Sequence, residues 1–171
     1  MNGGGFFSKL YEISYGALFR NLEGVTHEDS LIEPKTAGNS LNWVLGHIVA
    51  TRNRLLPMLG AQPVWPPERA FFYSGRDEAQ WTTGNAFHLD AIKTDLARSQ
   101  QQLMAVLDVL PDQALAAPTD SGQPLVEVVG FFYFHESYHG GQIALLRRIV
   151  GRPGVIKAPT QRRLSGAQRS L

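Results

Sequence analysis

Apolar residues recur every three or four positions over four stretches of the chain, and each stretch predicts an amphipathic helix. In the first, from Phe6 to about Glu23, the spaced positions are Phe6, Leu10, Ile13 and Ala17. The polar run Asn21 to Ser30 ends it, and a turn cluster follows from Pro34 to Ser40, where Asn39 or Ser40 suits an N-cap. The second helix, from about Leu41 to Leu59, carries two neighbouring stripes. Leu41, Leu45, Ile48, Arg52, Leu55 and Leu59 form one; Trp43, His47, Ala50 or Thr51, and Arg54 form the other. Pro57 kinks or ends it. Asn85 to Leu110 has the clearest period, with Leu89, Ile92, Leu96, Ser99, Leu103, Val106 and Leu110 as the seam of a helical bundle. Pro111-Asp112 stops it. The fourth helix has Pro124 in its first turn, where proline is tolerated, and runs to about Val150. Gly151-Arg152-Pro153-Gly154 closes it, and Arg147 and Arg148 complement the dipole of its last turn.

Between the second and third helices, Gly60 to Gly84 shows no helical period. It holds Pro63, Pro66 and Pro67 beside Trp65, Phe71, Phe72, Tyr73 and Trp81. A loop this long inside a compact domain is uncommon, and so many aromatics predict that it packs on the body. It is explained if helices two and three run parallel, because the chain must then travel back before the third begins. No repeat or β-hairpin is visible. The expectation is an all-α fold, a four-helix bundle with a long crossover between helices two and three.

Composition narrows the picture. At 171 residues the chain suits a single domain, residues 1–171. With 43% hydrophobic and 18% charged residues it has an ordinary globular balance, which excludes wholesale disorder. There is no cysteine, so disulfides, thiolate metal sites and a cysteine nucleophile of its own are excluded. Lys9 and Glu12 interrupt the N-terminal apolar residues, so no signal peptide is read. No apolar run approaches the ~20 residues needed to cross a bilayer. The richest stretch, Pro124 to Phe134, contains Glu127. A cytoplasmic protein with no membrane partner is the expectation. The formal charge of +1 hides an asymmetry: every charged residue after Gly140 is basic (Arg147, Arg148, Arg152, Lys157, Arg162, Arg163, Arg169), giving a basic tail from about residue 151. These residues are spread out and not interleaved with aromatics. They read as a solvated end, and no nucleic-acid partner is expected.

The chemistry concentrates in Phe131 to Gln142. His135 and His139 stand four residues apart, on one face of the fourth helix, so two imidazoles can share one divalent ion. Phe131, Phe132 and Phe134 before them and Ile143, Leu145 and Leu146 after them predict a buried setting, where unpaired imidazoles are costly. A metal relieves that cost, and neutral imidazole suits zinc, nickel, copper and iron. The run His135-Glu136-Ser137-Tyr138-His139 also matches the H-E-x-x-H protease signature. Such proteases recruit a downstream Glu or His ligand, and none follows Gly140 here, so that reading fails. The third ligand must lie upstream. His47 is mid-helix on the face with Trp43 and Thr51, and Gly46 beside it lets another backbone or a ligand come close. Three protein ligands leave a position open, as catalytic sites do. His27 and His88 read as ordinary hydrogen-bonded or half-exposed histidines. Tyr138 reads as packing.

Leu41-Asn42-Trp43-Val44-Leu45-Gly46-His47-Ile48, followed by His135-x-x-x-His139-x-Gly141-Gln142-Ile143, resembles the DinB (DinB/YfiT-like) superfamily of metal-dependent enzymes over roughly residues 6–150. The resemblance implies a metal triad of His47, His135 and His139, a four-helix bundle in up-down-down-up order, nickel or zinc as the ion, and a homodimer. It further implies a transferase that activates a low-molecular-weight thiol for attack on an electrophile. In that setting Arg54 suits a carboxylate of the thiol cosubstrate or is a solvated helix-end residue. Gln142 orients a ligand or bonds a His ring, and Glu136 is either a support behind the ligands or exposed. The alternatives are a metal-dependent hydrolase, in which Glu136 would serve as base, and a non-catalytic metal-binding stress-response bundle.

Overall fold

A computed structural model describes residues 2–35, 38–75 and 81–155, and its described residues contain helices and no strand. Four long helices carry the architecture: α1 (Gly3–Leu22), α3 (Leu41–Met58), α5 (Leu89–Leu107) and α7 (Leu125–Ile149). Three short ones lie in the connections: α2 (His27–Leu31), α4 (Pro67–Phe72) and α6 (Asp112–Ala116). The fold is all-α. The basic residues Lys157, Arg162, Arg163 and Arg169 lie outside the described residues.

Local chemistry sets the boundaries. Asn2 accepts from the Gly5 N–H and starts α1, and Ser40 accepts from the Trp43 N–H and starts α3. The third long helix begins at Leu89, not Asn85, because the His88 side chain accepts from the Asp90 N–H as its cap. Pro124 stands as the N-cap of α7, one position before the first turn. The short helices interrupt segments expected to be connectors. α2 rests on a capping box in which Thr26 and Asp29 satisfy each other's backbone N–H.

α3 and α5 bury the stripes their periods point to, but α1 does not: Phe6 and Ile13 are exposed, Leu10 and Ala17 are partly buried, and Tyr11, Leu18 and Leu22 enter the core instead. Leu41, Leu45, Ile48 and Leu55 of α3 meet Leu89, Ile92, Leu96 and Leu103 of α5, all essentially without solvent contact. Leu107 completes that seam, while Val106 and Leu110 are only partly buried. Contacts along α1 and α7 climb together: Tyr11 reaches the Val129 carbonyl, Ser14 reaches Glu136, and the Asn21 carbonyl accepts from Arg147. Contacts between α3 and α5 also climb together, from Asn42 with Phe87 to Arg52 with Ser99. Between α3 and α7 they descend, from His47 with His135 to Arg54 over Phe132.

The crossover packs on the body. Trp65 and Tyr73 are fully buried. The Asn53 side chain accepts from the Val64 and Trp65 N–H groups and donates to the Trp65 carbonyl. Trp65 Nε1 donates to Asp95, and the Arg69 guanidinium sits between the Trp65 and Phe87 rings while pairing with the same carboxylate.

Two expectations about α7 fail. Phe131, Phe134 and Leu145, expected to be buried, are exposed, and so is Tyr138, expected as packing. The helix meets α1 and α3 on its inner side, and these residues fall on the side away from that contact. Arg147 does more than face the dipole: it is buried and donates to the Asn21, Glu23 and Pro153 carbonyls.

Candidate metal centre

The descending contact between α3 and α7 brings His47 to face His135 and His139. The Nε2 atoms of His47 and His135 are 3.3 Å apart, and those of His139 and His135 are 3.2 Å apart. Ligand atoms of all three lie within 4.8 Å of one another. A tetrahedral ion with metal–nitrogen bonds of ~2.0–2.1 Å sets neighbouring nitrogens about 3.3–3.4 Å apart. The two spacings through His135 match that edge.

The other ring nitrogens say which way the lone pairs point. His47 Nδ1 lies 2.7 Å from the Tyr73 carbonyl oxygen, which can only accept, so Nδ1 carries the proton and Nε2 keeps a lone pair. His139 Nδ1 lies 2.6 Å from Gln142 Oε1, and the same reasoning frees its Nε2. Two lone pairs therefore converge on His135 Nε2. The indole of Trp43 stacks on His47 at 4.8 Å, with 9° between the rings, and holds that ring's plane. Burial pushes the pKa of all three imidazoles down. For His135 the value falls to about 4, through burial first and then the neighbouring His139 and His47. Three neutral imidazoles are the form that ligates, so the donor set fits a divalent transition metal and could hold one.

A cavity of about 230 Å³ opens directly onto this cluster. Ala50, Thr51 and Arg54 line it from α3, Pro67, Ala70 and Phe71 line it from the crossover, and His47 and His135 form its floor. Among the described residues, no acidic side chain lines it. Arg54 is exposed at the rim, 5.9 Å over the Phe132 ring, and has no ion-pair partner among the described residues.

Glu136 is elsewhere. It is buried, with Arg52 Nε 2.7 Å from Oε2, Arg52 Nη2 2.8 Å from Oε1, and Ser14 Oγ donating to Oε1 at 2.9 Å. It is neither exposed nor in the cavity at the histidines. Arg52 and Tyr73 are the residues that sequence reasoning missed. A charge inside the leucine stripe of α3 was the signal for Arg52, since a buried guanidinium needs a carboxylate. Tyr73 acts through its main-chain carbonyl, which no residue type announces. Gly46 does admit a close neighbour: a Cβ there would overlap the Tyr73 ring. His27 and His88 lie apart from the cluster, their rings stacked at 4.5 Å, with His27 Nδ1 accepting from the Leu89 N–H.

The family model described as the DinB superfamily matches residues 10–143. Among solved structures, the chain is similar to a conserved protein from Enterococcus faecalis, with a TM-score of 0.70 and 16% identity. That match covers 88% of this chain and 98% of the other, and at this identity it shows a shared fold alone. No curated protein matches the sequence.

Proposed function

We propose that this chain, which belongs to the DinB superfamily, holds one divalent ion, nickel or zinc, on His47, His135 and His139. On this reading it is a transferase that activates a low-molecular-weight thiol for attack on an electrophile. The observation that carries the proposal is the convergence of three Nε2 atoms, two of which have their tautomer set by a partner at Nδ1. The ion, when bound, supplies a Lewis-acid position that favours the thiolate form of an incoming thiol.

The chain's own residues do the rest. Having no cysteine, it takes its thiol from outside. Ala50, Pro67, Ala70 and Phe71 give the cavity an apolar wall beside the reacting groups. Arg54 at the rim suits a carboxylate on the cosubstrate. Gln142 fixes the His139 ring. A hydrolase would need a base at the cavity, and Glu136 is occupied by Arg52 and Ser14, away from it. That weighs against the hydrolysis in which Glu136 serves as base, and the cavity weighs against a purely structural metal.

The same reading takes residues 1–171 as one domain, a four-helix bundle in up-down-down-up order. The climbing contacts of α1 with α7 and of α3 with α5, and the descending ones of α3 with α7, support that order. It also takes the protein as a cytoplasmic homodimer. Exposed Phe131, Phe134, Tyr138, Leu145 and Ile149 recur at three- to seven-residue steps along α7 and offer an apolar stripe for a second copy.

The test begins with metal analysis of protein purified without a His-tag column, where near-stoichiometric nickel or zinc is expected. Much less than one ion per several chains would sink both the metal and the transferase readings. Small thiols with monochlorobimane then test transfer, with a rate above the metal-only control as the expected result. His139→Ala should abolish metal retention.

A further inference from the structure

Asn42 is a fully buried polar residue of α3, five positions before His47, and the metal reading gives it no part. A carboxamide is unfavourable inside a core unless its donors and acceptor are paired. Asn42 Nδ2 donates to the Phe87 carbonyl at 2.9 Å and lies 3.5 Å from Ser30 Oγ. Asn42 Oδ1 accepts from the Tyr73 hydroxyl at 2.9 Å, and the Tyr73 oxygen accepts in turn from the Phe87 N–H at 3.1 Å. Every role in this ring of bonds is forced. The Phe87 N–H can only donate, so the phenol proton goes to Asn42. The Phe87 carbonyl can only accept, so the amide turns its nitrogen there.

The other end of Tyr73 is its main-chain carbonyl, 2.7 Å from His47 Nδ1. A rise of roughly 1.5 Å per residue sets Asn42 and His47 about 7.5 Å apart along α3. Tyr73 therefore lies along that helix, tied by its hydroxyl to Asn42 and by its carbonyl to His47, with its ring against Gly46 between them. The backbone alone does not place that carbonyl. Tyr73 caps α4, which has six residues and no side-chain cap at its start, too short a helix to hold a position by itself.

We infer that Asn42 is a positioning residue for the metal centre, acting on His47 through Tyr73. By holding the Tyr73 hydroxyl it fixes how far along α3 the Tyr73 carbonyl lies. That carbonyl keeps the His47 proton on Nδ1 and leaves the Nε2 lone pair facing His135. Phe87 stands just before the His88 cap of α5, so the same ring of bonds ties α3, the end of α4 and the lead into α5 together beside one ligand. The inference rests on the metal reading for its purpose but not for its geometry.

Tyr73→Phe removes one oxygen, and with it the tie, while keeping the ring against Gly46. Two-bond 1H–15N correlation spectra of histidine-labelled, metal-free protein, with His47 assigned by a His47→Ala variant, should show wild-type His47 protonated at Nδ1. Tyr73→Phe and Asn42→Ala should each shift those signals toward a tautomer mixture. Zinc affinity, measured by chelator competition, should fall about five- to tenfold in each, at or below the lower end of the ~10–100-fold range for losing a direct partner of a metal-ligating histidine. Both act through one tie, so adding Asn42→Ala to Tyr73→Phe should weaken zinc by less than about twofold more. Leu107→Ala truncates a core residue at the far end of α5 and is the control: it should lower stability and leave the His47 signals and zinc affinity unchanged. Should Asn42→Ala fail to fold, Tyr73→Phe decides alone. A wild-type His47 protonated at Nε2 overturns the inference, as do folded variants with wild-type His47 signals and zinc affinity, fully additive losses, or an equal loss in Leu107→Ala. If the wild type binds no zinc, the metal reading falls and the His47 tautomer still decides this one.

Discussion

Gly46→Ala separates two physical expectations of opposite sign. Position 46 is in the interior of α3, and in an otherwise indifferent helix an alanine is about 0.8–1 kcal/mol better than a glycine. Here the added methyl would overlap three atoms of the Tyr73 ring. That ring cannot slide aside cheaply. It is fully buried, its hydroxyl donates to Asn42 Oδ1 at 2.9 Å, and the same oxygen accepts from the Phe87 N–H at 3.1 Å. Overpacking costs about 1–3 kcal/mol, and losing those two hydrogen bonds adds roughly 1 kcal/mol each. Against the gain in helix propensity, the net is a destabilisation of about 3 kcal/mol, or ~6–12 °C in Tm for a chain of this size. Moving Tyr73 also moves the carbonyl that fixes His47, so metal affinity should fall with stability. Urea unfolding of metal-free protein measures the first and chelator competition the second. Gly16→Ala is the control, because only the tip of Arg20 approaches that position, at 3.9 Å, and it should stabilise by up to about 1 kcal/mol. A Gly46→Ala protein as stable as Gly16→Ala would refute the packing argument.

Other consequences are direct. Arg52→Met strands the buried Glu136 carboxylate and should cost about 3–5 kcal/mol, whereas Arg52→Met with Glu136→Met should recover most of it; denaturant midpoints of both proteins check this. Acidification should destabilise the metal-free protein. The folded imidazoles titrate below 6.5, so the unfolded chain binds more protons between about 4 and 6.5, and stability present above that window is lost as pH falls through it. Flat thermal midpoints across that range would contradict the burial of the three rings. Arg54→Gln should raise KM about tenfold for a carboxylate-bearing thiol and leave kcat nearly unchanged. An equal rise for an uncharged thiol would remove Arg54 from substrate recognition.

What could be read in advance, and what could not, divides along one physical line. α3 and α5 were legible because each buries a stripe that repeats over many turns, as Leu41, Leu45, Ile48 and Leu55 do, whereas the period of α1 marked Phe6 and Ile13, which are exposed. Helices of five or six residues hold too little period to show, and α2, α4 and α6 depend on caps and prolines instead. The same division runs through the site. His135 and His139 announce themselves by spacing within one helix, and His47 by exclusion. The groups that orient them come from other elements. Tyr73 contributes a main-chain atom from the crossover, and Arg52 reaches Glu136 only because α3 and α7 pack with descending contacts. Arg52 and Glu136 each look misplaced alone, one charge in a leucine stripe and one between two ligands. Together they explain each other, and they lie against the small cavity behind His135. A packing error between α3 and α7 would therefore separate His47 from its partners and Arg52 from Glu136 at once. The core and the metal face of this protein depend on the same helix contact.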